Sequence, residues 1–127
     1  MKILWISLGG AIGTAARYLL STGLLHALGS AFPYGTLVVN VVGSFLLGLV
    51  MHIGLNSEAL NPTIRLALST GVLGGFTTYS TFNYETLQYA RESAWFLAAA
   101  NVLATMAGCL AAGLLGIAVG KLLVGGS

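Results

Sequence analysis

The sequence predicts an all-α integral membrane protein with four transmembrane helices per subunit, the third broken mid-span. Three observations lead there. The 127 residues are 57% hydrophobic and 6% charged, with a mean hydropathy of +0.92, whereas a soluble domain carries about 25% charged residues. Four apolar segments, roughly 3–27, 35–55, 63–90 and 94–122, each reach the ~20 residues a helix needs to cross the hydrocarbon. Within the third, GVLGGFTTYSTFNYE (71–85) sets three glycines beside five consecutive hydroxyl residues, Thr77 to Thr81.

The first segment opens as MKILWISLGGAIGTAA, which has the lysine, apolar run and small residues of a signal peptide. Arg17 and a second apolar run follow at once, so it is read as a retained first helix. Gly9 and Gly13, four apart, mark a face where another helix can approach closely. In the second segment Thr36, Asn40 and Ser44 recur every four residues, and Gly48 continues their face. Lipid cannot satisfy polar groups, so this stripe must meet protein, water or a transported species. Its spacing leaves interhelical packing and substrate contact equally open.

Asn61-Pro62 reads as an N-cap followed by proline at the first helical position, which starts the third segment. Gly71, Gly74 and Gly75 weaken the helix near its middle. A break there frees backbone groups, and residues 74–78 become a candidate ion site with the Thr77 and Thr78 hydroxyls beside it. A plain glycine kink is the competing reading. Beyond it, Tyr79 and Phe82 share a face, Ser80 lies on a neighbouring one and Thr81 stacks with Glu85. Ring edges are electropositive, and hydroxyls and amides donate hydrogen bonds, so the cluster suits a small anion that must enter and leave. Taken singly, Tyr79 and Phe82 are better read as core packing. Glu85 and Arg17 are each costly within a span, and are expected to pair or to reach an aqueous vestibule.

Ser93 is the expected cap of the fourth segment, where Gly108, Ala112, Gly116 and Gly120 form a small-residue stripe for packing. Cys109 in that run reads as a small buried hydrophobe. The loops LGSAFPY, LNSEALNP and RES are short, so successive helices are antiparallel neighbours in a single transmembrane domain spanning 1–127. Lys2, Arg65 and Lys121 fall on one side, and Arg91, with Arg17 if it snorkels, on the other. So weak a bias allows insertion both ways, and an antiparallel dual-topology homodimer is expected.

Other classes find little support. A net charge of +2 without a basic run argues against nucleic acid. His26, His52 and the lone cysteine have no metal-ligand spacing. There is no paired carboxylate within a span, no Ser-His-Asp set and no phosphate loop, so no enzyme is expected. The acids are Glu58, Glu85 and Glu92.

GGAIGTAARY (9–18), GTLVVNVVGSFLLG (35–48) and GVLGGFTTYSTFNYE (71–85) resemble the signature segments of the Fluc (CrcB) fluoride channels, and NVLATMAGCLAAGLLG (101–116) resembles the family's last helix. The resemblance implies a multi-pass protein of the bacterial inner membrane that passively exports fluoride and relieves its cytoplasmic toxicity. It also implies an antiparallel homodimer with two pores and a structural sodium ion at the dimer centre. The sodium would be held by backbone carbonyls, here those of Gly74 and Thr77. The pore-facing phenylalanine pair falls on Tyr79 and Phe82, and the pore asparagine on Asn40. The hydroxyl track falls on Thr36, Ser80 and Thr81, the vestibule arginine on Arg17 and the third-helix acid on Glu85.

Two departures from the family pattern stand out. Tyr79 replaces the first phenylalanine, and a phenol keeps its ring edge while adding a donor, so function is expected to survive with altered conductance. On the fourth helix Cys109 and Gly113 stand where relatives often carry hydroxyls, which leaves Thr105. The alternatives are a small dual-topology proton-coupled exporter and a non-transporting accessory subunit. The exporter would want an acid in the first helix, and residues 3–27 contain none.

Overall fold

The computed structural model describes residues 1–126. It is helical throughout, with no strand among the described residues. Helix α1 spans Lys2–Leu28 and stops at Gly29, whose φ of 81° turns the chain while its amide still donates to the Leu25 carbonyl. Helix α2, Tyr34–Asn56, starts directly after Pro33. Helix α3 covers Pro62–Leu66, and Asn61 Oδ1 accepts from the Ile64 amide at 2.9 Å. This is the cap that the Asn-Pro pair predicts.

The chain then runs through a π-helical segment, Ala67–Leu73, into the short helix α4, Gly74–Phe76. Thr77 and Thr78 are extended. Helix α5, Tyr79–Arg91, begins afresh with the Thr78 side chain as its cap, and α6 spans Trp95–Val124. Helices α1, α2 and α6 are each long and apolar enough to cross a membrane.

Two findings correct the expected local structure. The break falls at Thr77–Thr78, and Gly74 itself keeps helical angles, φ −63° and ψ −38°. The glycines do not open the helix; Gly71 and Gly75 let it lie against α1. A Cβ on Gly75 would stand 2.6 Å from the Gly10 carbonyl oxygen, and one on Gly71 would stand 2.8 Å from that of Ile6. From the other side, a Cβ on Gly13 would collide with the Val72 carbonyl. The second correction is at the last turn. Ser93 caps nothing; it adopts φ 59°, and α6 starts after Ala94 without a side-chain cap.

The widest helix contact is α2 against α6. Ala112, Gly116 and Gly120 are buried there, and Gly116 abuts the Phe45 carbonyl. The small-residue stripe is therefore a packing face. Lipid tails are as apolar as leucine, so close backbone approach replaces the hydrophobic drive that packs helices in water. Large apolar side chains accordingly point outward, among them Leu19, Leu103, Leu110, Leu114 and Leu122. At one end of α2 the buried His52 donates through Nε2 to the Gly125 carbonyl at 2.7 Å, tying the segment after α6 to α2.

Candidate functional site

The break leaves backbone groups without helical partners, and the site is built from what satisfies them. Asn40, 8% exposed, faces Thr78. Its Nδ2 donates to the Thr78 carbonyl at 2.9 Å, and its Oδ1 accepts from the Thr78 amide at 2.8 Å. One amide side chain thus completes the pairing of an extended residue, as a neighbouring strand would. This two-way clamp is what sequence spacing could not resolve: Asn40 is first a partner of the backbone, with one Nδ2 hydrogen still to offer.

The clamp has a consequence for the carbonyls one turn earlier. The Thr78 amide would ordinarily bond the Gly74 carbonyl, but it is given to Asn40. The Thr81 amide, four residues beyond Thr77, is given to the Thr78 hydroxyl at 3.2 Å. The carbonyls of Gly74 and Thr77, which the family resemblance implies for a cation, therefore lack those partners. Uncharged carbonyl oxygens are a donor set suited to a hard monovalent cation. The Gly75 carbonyl is also diverted, since Arg17 Nε donates to it at 3.1 Å.

Arg17 and Glu85 do not solve their burial by pairing with each other. Arg17 takes the Gly75 carbonyl, and Glu85 Oε2 accepts from the Thr36 hydroxyl at 3.1 Å. Glu85 Oε1 is buried without a partner. Both side chains line one cavity of about 480 Å³, together with Thr36, Thr78 and Thr81. A second cavity, about 390 Å³, is lined by Asn40, Ser44, Tyr79, Phe82 and Thr105, and also by Gly74 and Thr77. Thr78 borders both cavities and Asn40 only the second, so the clamped break lies between them.

The structure therefore divides the expected site residues in two. Arg17, Thr36, Thr81 and Glu85 belong to the first cavity, and Asn40, Tyr79, Phe82, Thr105, Gly74 and Thr77 to the second. Ser80 is exposed and lines neither of them. The Tyr79 and Phe82 rings lie 5.8 Å apart, tilted by 54°, an edge-presenting arrangement. Phe82 is 7% exposed and Tyr79 76%. Thr105 Oγ1 is buried and unpartnered. Thr78, expected beside an ion site, serves as cap and clamp target, and Asn101, which no motif singles out, is buried on α6 and bonded to Thr86 on α5. An asparagine inside an apolar segment was the available signal for Asn101.

A small multi-pass membrane protein with two largely apolar cavities, each carrying a few polar groups, beside a broken helix is built to move something small. The sequence profile of the CrcB-like proteins (camphor resistance, CrcB) matches residues 4–117. The chain belongs to that family. A protein of Sorangium cellulosum is 54% identical over 122 residues, covering 96% of both chains. One of Anaeromyxobacter dehalogenans is 56% identical over 111 residues, covering 87% of this chain and 88% of its own. One of Geobacter sulfurreducens is 50% identical over 108 residues, covering 85% and 87%. Each of the three is named a fluoride-specific ion channel, FluC.

Proposed function

We propose that this protein is a passive fluoride channel that lets fluoride leave the cytoplasm across the bacterial inner membrane. The observation that carries the reading is a donor-bearing lining on both sides of the break, uncharged in the second cavity and edged by Arg17 and Glu85 in the first, in a chain at least 50% identical to proteins named fluoride-specific channels. Fluoride is small, tightly hydrated and a strong hydrogen-bond acceptor, so a path must offer donors in series to replace its water. Asn40, through its remaining Nδ2 hydrogen, and Thr81 are assigned as donors, Thr105 as a further polar contact, and Tyr79 and Phe82 as edge-on contacts. The Thr36 hydroxyl gives its one hydrogen to Glu85 and Ser80 lines neither cavity of the single chain, so neither is assigned as a donor here. Arg17 raises the local anion concentration at the mouth, and Glu85 orients the Thr36 hydroxyl.

The working unit is an antiparallel dual-topology homodimer of four-span subunits with two pores. The exposure of Tyr79, 76% on a single chain, supports a second subunit completing that wall. A sodium ion at the shared axis would be held by the Gly74 and Thr77 carbonyls, whose oxygens the clamp leaves available. Its charge would stabilise carbonyl oxygens that have no hydrogen-bond donor of their own. No catalytic chemistry is assigned, in keeping with the relatives' names.

Fluoride efflux from liposomes holding the purified protein, with a potassium/valinomycin shunt and chloride as control, tests the reading. Fluoride loss with chloride retained is the expected result. No fluoride loss from well-folded protein would overturn it.

A further inference from the structure

Helix α5 carries both aromatic rings, yet little holds it. It is 13 residues long, it follows a break, and it exposes Tyr79, Tyr84 and Leu87 on its outer side. The chain upstream cannot set its rotation about its own axis, because Thr77 and Thr78 are extended and carry no helical register across. Rotation must therefore come from lateral ties. The Asn40 clamp holds Thr78, the last residue of the junction, and Thr36 reaches Glu85. Both of these come from α2, and near the far end of α5 the Tyr89 hydroxyl donates to the Ala31 carbonyl at 3.0 Å.

The tie from α6 is a relay. Asn101 is 1% exposed, the least exposed of the buried polar residues. Its Nδ2 donates to Thr86 Oγ1 at 2.9 Å, and that hydroxyl donates its own hydrogen to the Phe82 carbonyl at 2.9 Å. A hydroxyl has one hydrogen and two lone pairs, so Thr86 can fill both roles at once. The relay ends on the backbone of the residue whose ring walls the second cavity. It is also the one side-chain hydrogen bond between α5 and α6 among the described residues. Any rotation of α5 that carries Phe82 away from the cavity must break it, and within a bilayer no water is at hand to replace it.

We propose that Asn101 and Thr86 are positioning residues that fix the rotation of α5 and so aim the Phe82 ring. Neither acts as a donor to the ion in this role. The flux consequence rests on the channel reading above, whereas the placement of the ring does not.

The test replaces Thr86 with valine, which keeps the shape and removes both bonds, and uses two readouts on protein that elutes as the parent does. One is the ¹⁹F NMR shift of 4-fluorophenylalanine placed at position 82 in chloride buffer. The other is fluoride efflux per folded protein. Thr86→Val is expected to move or broaden the ring signal and to slow efflux by about tenfold, a 1.4 kcal/mol effect, while Thr86→Ser restores both. Asn101→Ala is the second variant if valine does not fold, and it is expected to shift the same signal. An unchanged ring signal in a folded variant of either kind overturns the proposal, even if efflux falls. A parent that passes no fluoride defeats the channel reading alone, since the ring signal still reports on the relay.

Discussion

The two halves of the third membrane segment are held by opposite means. Residues 62–76 lie against α1 through glycine, backbone on backbone, with Gly75 against Gly10 and Gly71 against Ile6. Residues 79–91 make few such contacts and are fixed by side-chain hydrogen bonds, Thr36 to Glu85 and Asn101 to Thr86. Steric fit tolerates no added atom but needs no polar group. Hydrogen bonding leaves room beside the helix, and that room is where the cavities lie. A rigid half and a roomy half meet at Thr77–Thr78, where Asn40 supplies the missing backbone partners.

The comparison can be broken from the steric side first, with the largest effect. Gly13→Val would drive side-chain carbon into the Val72 carbonyl. Overpacking costs about 1–3 kcal/mol where side chains can yield, and more here because the obstacle is backbone. Loss of the monodisperse peak in size-exclusion chromatography is expected. A variant that purifies and unfolds as the parent does would show that the two helices can separate freely.

Next comes the junction. Asn40→Leu strips partners from the Thr78 amide and carbonyl together. Each unsatisfied group costs about 1–3 kcal/mol, so a clear fall in thermal unfolding temperature should accompany loss of fluoride efflux. Lost efflux with unchanged stability would instead make Asn40 a contact of the ion and not a clamp.

The smallest effect lies at the far end of the hydrogen-bonded half. Ser93 sits at φ 59° in the turn that closes α5, where the Ala94 amide donates to the Tyr89 carbonyl at 2.8 Å. The left-handed region costs a residue with a Cβ about 1–2 kcal/mol, and glycine loses part of that gain to chain entropy. Ser93→Gly should stabilise by up to about 1 kcal/mol and leave efflux unchanged. Destabilisation would mean that the serine side chain makes a contact there that its backbone angles do not reveal.

Some of this architecture was legible in the residues themselves. Asn61-Pro62 announced a helix start because a cap is a local device, complete within four residues. The Gly108 to Gly120 stripe announced a packing face because helical periodicity alone brings those residues to one side. Three spans were readable from length and apolarity, since lipid imposes both. The third segment was harder. Glycine looked like the breaker because it has the weakest helix propensity of any residue here except proline, yet Gly74 keeps helical angles and the chain breaks at Thr77 and Thr78, where Asn40 supplies the backbone partners.

What the sequence determined by itself was the class of environment and the local stops and starts, because hydropathy, capping and helical period each act over a few residues. It also placed polar residues where lipid forbids them unpaired. What only the tertiary structure decided was who pairs with whom: Asn40 with Thr78, Arg17 with the Gly75 carbonyl, Thr36 with Glu85, and Asn101 with Thr86. Those bonds join residues between 15 and 58 positions apart. Their geometry depends on how closely glycine lets the helices approach, a distance that no local pattern encodes.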